Sequence, residues 1–118
     1  MELKENELRI GNLFDHMDDG ILSIEEIKKD SDGFKGYYAV FRNGSIKCHV
    51  SYLQPIPLTE EWLLRFGYTE KDLSQGKIIK GRNGGYIITT LSNKEIFYVH
   101  KLQNLYYELK DNELRLIK

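Results

Sequence analysis

One cysteine, two prolines and three histidines in 118 residues leave little material for several kinds of chemistry. The lone thiol, Cys48, permits no internal disulfide, so a reducing compartment and a fold held by its core are expected. Cys48 and His49 are neighbours that point to opposite faces if their segment is a strand, and His16 and His100 lie far from them in sequence. No zinc-ligand spacing results, and neither a metal nor a cofactor is expected. No apolar run approaches the roughly 20 residues that span a bilayer. The opening MELKENEL is acidic and mixed in charge, unlike a signal peptide, so the expected location is the cytoplasm with no membrane partner. Ser51, His49 or His100 and an aspartate do not form a nucleophile elbow, and Glu25 and Glu26 read as strand surface; no catalytic residue and no enzymatic turnover are expected.

What the chain does have is an ordinary globular balance, 41% hydrophobic and 30% charged, with fourteen aromatic side chains. Its length suits a single domain, residues 1–118, with subregions 1–57 and 58–118. The net charge of -1 conceals a separation. Residues 1–34 carry ten acidic and four basic side chains, whereas residues 77–101 carry Lys77, Lys80, Arg82, Lys94 and Lys101 against Glu95 alone. Such a cluster sets up a local anion-attracting field in a nearly neutral molecule.

Residues 55–68, PIPLTEEWLLRFGY, give the clearest helix. Thr59 is placed to cap it, Glu60 and Glu61 meet the positive end of the dipole, Leu58 and Leu63 occupy staple positions, and Gly67 suits a left-handed exit. A strand is expected over residues 8–14 with a bulge or close approach at Gly11, then a turn over Asp18, Asp19 and Gly20. Helix and strand patterns compete over residues 21–27; the flanking turn signals, including the 30–33 cluster, favour a strand. Residues 37–41 and 46–50 flank Arg42-Asn43-Gly44-Ser45, in which Asn-Gly predicts a tight hairpin. After the helix, Thr69 can cap one further turn ending at Gly76. Residues 77–80 and 86–91 bracket the GRNGG turn, and with residues 96–99 they predict a three-stranded meander. Leu102, Leu105, Tyr106 and Leu109 give the stripe of a last amphipathic helix, and residues 114–117 are expected as an edge strand. The expected class is α+β: a small curled N-terminal sheet, a central short helix, then a β-meander and an amphipathic helix. The order of short strands and turns through SYLQPI resembles an SH3-type barrel.

Three blocks, LRIGNL, PIPLTEEWLLRFGY and YVHKLQNLYYEL, together resemble a family of small proteins found in Bacteroidota genomes and their phages. The resemblance implies a phage or prophage origin, hence a bacterial host cell, and implies no particular chemistry.

Three features bear on binding. GRNGG can serve as a hairpin turn or as an anion cradle with Arg82 forking onto phosphate; the following strand, in place of a helix and Lys-Ser/Thr, favours the turn. His100, Gln103, Asn104 and Tyr107 share one side of the last helix as a hydrogen-bonding patch, or else cap and solvate it. Trp62 reads as core. The candidate ligand-binding residues are Lys77, Lys80, Arg82, Tyr86, Tyr98, His100, Lys101, Gln103 and Asn104: cations for phosphates, rings for a base, amides for sugar or base edges. The expected function is capture of a small nucleotide-like anion, as in sequestration of a host immune signalling nucleotide, with a homo-oligomer possible. The alternative is an SH3-like adaptor whose Tyr37, Tyr38, Phe41 and Tyr52 line a groove for a protein or single-stranded nucleic acid; the nearly neutral balance disfavours extended nucleic acid.

Overall fold

In the computed structural model, residues 8–16, 20–29, 37–49 and 53–117 are described. The chain forms two compact units, Met1–Ile56 and Pro57–Lys118, and is mixed α+β, with seven strands in small antiparallel sheets and three α-helices among the described residues. Among the described residues no sheet closes into a barrel.

In the first unit, β1 (Leu13–His16) pairs with β2 (Gly20–Ser23), and β3 (Glu26–Lys29), β4 (Tyr37–Phe41) and β5 (Ile46–His49) form an antiparallel sheet in that order. The strand expected over residues 8–14 starts only at Leu13. Before it the chain turns: Gly11 takes φ +95°, and the buried Asn12 accepts from the Arg9 amide at 2.7 Å through its side chain. A buried amide must be satisfied, and here it fixes the turn. The single strand expected over residues 21–27 is two, because the Ile24 amide still bonds the Asn12 carbonyl while the Glu25 amide has already moved to the Val40 carbonyl, each at 2.9 Å. Phe14, Ile24, Ala39, Phe41 and Leu53 form the centre of this core; a fully buried side chain of the larger kind contributes about 1.5–3 kcal/mol. The β4–β5 hairpin is present, but its positive angles fall on Arg42 (φ 48°) and Gly44 (φ 89°), in a short 3-10 turn over Arg42–Gly44. Asp18, Asp19, the 30–33 cluster, Ser51 and Tyr52 lie outside the described residues.

The second unit opens with α1 (Glu60–Arg65). The Thr59 hydroxyl accepts from the Trp62 amide at 3.3 Å, Leu58 and Leu63 are both buried, and Gly67 (φ 103°) ends the helix as the Tyr68 amide donates to Leu63 and the Gly67 amide to Leu64, each at 3.0 Å. That double closure is the Schellman pattern. Trp62 is buried, with the Arg65 guanidinium 4.3 Å from its ring centre. Thr69 and Asp72 then form a reciprocal capping box for α2 (Glu70–Ser74), and the Thr69 amide holds the Asp72 carboxyl below the usual carboxylate range. β6 (Ile78–Lys80) pairs with β7 (Tyr86–Ile88), which exchanges two backbone bonds with Ile96 at 2.7 and 2.8 Å. The third meander strand is reduced to that one bridge, since α3 (Val99–Lys110) begins where it was expected to continue. Beyond it, residues 57–58 add a further antiparallel contact: Pro57 faces Tyr98, and the Leu58 amide donates to the Phe97 carbonyl at 2.8 Å. Residues 114–117 form no strand; Leu114 is buried, and the Ile117 amide bonds the Arg65 carbonyl at 2.7 Å.

Tyr68 connects this packing to pH. Burial, then the negative charges of Tyr106 and Asp72, push its hydroxyl up to about 12. An acid whose folded pKa is raised favours folding fully below the unfolded value near 10 and loses that contribution as pH climbs through 12. The urea midpoint is therefore expected to fall between pH 10 and 12, and Tyr68→Phe to reduce that fall. An identical decline in the variant would show that the hydroxyl is not responsible.

Candidate functional site

The basic segment begins where α2 ends. The Lys77 amide bonds the Asp72 carbonyl at 2.9 Å, and the Lys77 charge helps to lower the Asp72 carboxyl, so this cation belongs to the neighbourhood of α2. Lys80 lies three residues on, about 10 Å away in extended chain, at the end of β6 opposite Tyr86. Arg82 follows in the turn. Lys77, Lys80, Arg82 and Lys94 are exposed, whereas Lys101 is half-buried on α3. The sequence cluster thus divides by structure, and Lys80 with Arg82 forms its compact part.

Between these strands the GRNGG turn closes on itself, with the Gly81 amide on the Gly85 carbonyl at 2.8 Å and Gly84 at φ +91°. It is also an anion cradle, and its anion is internal. The Gly85 amide donates to Glu95 Oε2 at 2.7 Å, and the Asn83 amide reaches Oε2 at 3.2 Å and Oε1 at 3.5 Å. Successive amides around a left-handed residue make the concavity that binds oxyanions elsewhere. The outer glycines are there for room: a Cβ on Gly81 would overlap the Glu95 carboxyl, and one on Gly85 would lie 2.7 Å from the Ile96 carbonyl oxygen and 2.9 Å from the Phe97 ring. The hairpin turn read from GRNGG is therefore present, and two of its amides hold the chain's own carboxylate. The acceptor, ten residues or more along the chain, carries no local signature.

The helix side expected to present a hydrogen-bonding patch is split by burial. His100 and Gln103 are buried, Asn104 is half-buried and Tyr107 exposed. The reason is that α3 docks through its first turns, burying Val99, His100, Leu102 and Gln103, while Leu109 near its end stays exposed. Tyr86 is buried as well, which removes its ring from any stacking surface. Tyr98 is half-buried, its ring stacked on His100 with centres 6.0 Å apart. Of the nine residues singled out, Lys77, Lys80, Arg82, Tyr98, Lys101 and Asn104 retain exposure, and Tyr86, His100 and Gln103 do not.

In the first unit, an open depression of about 470 Å³ is lined by Glu25, Glu26, Lys28, Val40, Gly44 and Lys47, with Lys28 and Glu26 paired at 3.6 Å. None of the nine residues contributes to it. The aromatic groove is likewise thinned: Phe41 is in the core and Tyr38 packs edge-on against His49 at 5.7 Å, while the Tyr37 side chain and Tyr52 lie outside the described residues. Cys48 is a buried thiol, its pKa raised by burial. Among the described residues no group of three or more His, Cys, Asp or Glu side chains is placed to hold a metal ion, and no helix is long and apolar enough to cross a membrane. Comparison with protein-family models, curated proteins and solved structures found no match.

The room that Gly81 leaves for Glu95 can be measured. Gly81→Ala is expected to destabilise the protein by about 1–3 kcal/mol through overpacking, and by distinctly less in a Glu95→Ala background. A urea-melt double-mutant cycle gives the coupling; equal costs in both backgrounds would show that Gly81 serves some other purpose.

Proposed function

We propose that the second unit captures a small phosphate-bearing, nucleotide-like anion without turning it over. The observation that carries this is the exposure of Lys80, at the end of β6, and of Arg82, in the turn that the Gly81 to Gly85 bond closes. A stiff turn loses little further entropy when its cations engage a phosphate, and charge-assisted contacts from guanidinium and ammonium are the stronger kind. A ring stands nearby in sequence: Lys80 pairs with Tyr86 and Tyr86 with Ile96, the latter two both buried, and Tyr98, two residues beyond Ile96, is half-buried. Its exposed part is a candidate platform for a base. With the three family-like sequence blocks, this supports a phage-derived sequestering protein acting in the cytoplasm of a bacterial host.

A second role is supported by the first unit. Its strand order β3-β4-β5, the break at Ile24 and Glu25 that shares one stretch of chain between two pairings, and the bridge from Asp15 to Gln54 support the reading of an SH3-like arrangement. Its open depression, polar and mixed in charge, suits a protein segment better than a nucleic-acid strand, which needs a basic path.

Calorimetry with mononucleotides, cyclic dinucleotides and cyclic ADP-ribose variants tests the capture function. Saturable heat is expected with at least one class, and Lys80→Glu with Arg82→Glu should weaken it by about tenfold or more, the loss expected for charge-assisted contacts, with an unchanged Tm. Absence of heat with every member at high micromolar concentration would overturn the proposal.

A further inference from the structure

We infer that the amides of the 81–85 turn form an oxyanion site whose resident occupant is the chain's own Glu95 carboxylate, and that a phosphate group enters it by exchange with that carboxylate. This deepens the capture function, on which it rests, by naming the atoms that would hold the phosphate.

The donors are already aimed. Two amides converge on Glu95 Oε2, from Gly85 at 2.7 Å and Asn83 at 3.2 Å, and a phosphate oxygen accepts such bonds as a carboxylate oxygen does. Space is present too, because the carboxyl occupies ground that a Cβ on Gly81 would fill. The turn does not need its occupant in order to persist. It is closed by the Gly81 to Gly85 bond at 2.8 Å and a weaker one from Gly84 to Gly81 at 3.4 Å, and it is continued by the β6–β7 ladder. Departure of Glu95 therefore opens a formed site.

Charge favours the exchange. Glu95 is the only carboxylate within residues 77–101, where five cations stand, and at rest it offsets part of their field. A phosphate monoester brings close to two negative charges to the same amides, and Arg82, exposed within the turn, is placed to add a bidentate contact. The displaced carboxylate moves into water. Opposing this, an internal carboxylate competes at an effective concentration of roughly millimolar or above, so the observed affinity for phosphate is the intrinsic one reduced by the fraction of open sites. Glu95 then acts as a threshold: a weakly held anion does not displace it, and one with additional contacts to Lys80, Arg82 or Tyr98 does.

Titration of the full chain with inorganic phosphate, followed at the Asn83 and Gly85 backbone amides by nuclear magnetic resonance, tests the exchange. Glu95→Ala is expected to give saturable shifts at both amides with an affinity about tenfold or more above wild type, since the competitor is gone. Arg82→Gln in that background should reverse most of the gain. A folded Glu95→Ala protein with no saturable phosphate shift at these amides overturns the inference. Where Glu95→Ala fails to fold, Glu95→Gln, which keeps a neutral acceptor for both amides, should still bind phosphate roughly threefold more tightly than wild type because a neutral acceptor competes less strongly; equal affinity overturns the inference in that case. Nucleotide calorimetry on the wild-type chain is a separate readout. Heat there without phosphate shifts in the variants would leave the capture function standing and remove only the cradle from it.

Discussion

The hydrogen bonds from the Asn83 and Gly85 amides to Glu95 tie the turn between β6 and β7 to the segment that follows β7. A five-residue glycine-rich turn has more backbone donors than its own carbonyls can satisfy, and a carboxylate from beyond β7 accepts two of them. Glu95 lies next to Ile96, whose backbone bonds to Tyr86 fix the register of this segment. The Phe97 ring lies over Gly85, and the Phe97 carbonyl receives the Leu58 amide just ahead of the α1 cap. Tyr98 faces Pro57, and Val99 starts α3. The side-chain to backbone contact at Glu95 thus adds to the ladder bonds that align these short segments.

The first unit reaches order by a different route. Its sheets rest on apolar burial around Phe14, Ile24, Phe41 and Leu53, and its most constrained polar group, Asn12, acts within its own turn. Ile24 closes the β1–β2 pairing by donating to the Asn12 carbonyl at 2.9 Å, while its neighbour Glu25 opens the β3–β4 pairing through Val40. A peptide that serves one sheet on one side and the other sheet on the next must break the alternation, and the break follows Ile24: Leu22, Ser23 and Ile24 alternate in, out and in, whereas Glu25 and Glu26 are both exposed.

That contrast explains what could be read in advance. Helix ends were legible because their signals are local: Thr59, Gly67, Thr69 and Gly76 act on amides within a few residues, and each does what its position suggested. The Asn-Gly hairpin was legible for the same reason, although the positive angle shifted from Asn43 to Arg42. The stripe of α3 was legible only in part. Leu102 is buried and Leu105 and Tyr106 are half-buried, but His100 and Gln103 go inside while Leu109 stays out. Hydropathy assigns a face; it does not say which end of a helix docks. Glu95 had no signal at all, since nothing in a carboxylate reveals that amides ten and twelve residues earlier need it.

The cations near this turn have two physical explanations, and the fold separates them. β6 pairs only with β7 among the described strands, so it is an edge, and lysines on an edge strand discourage addition of another chain. Lys80 is accounted for in that way without any ligand, and Lys77 in addition has the carboxylate of Asp72 beside it. Arg82 is different. It stands off the strand, in the turn, where there is no edge to guard, and the one carboxylate within residues 77–101 is already held by the amides on either side of Gly84. An exposed guanidinium next to amides that already hold a carboxylate is the feature that edge protection leaves over, and it is the one on which the proposed anion capture rests.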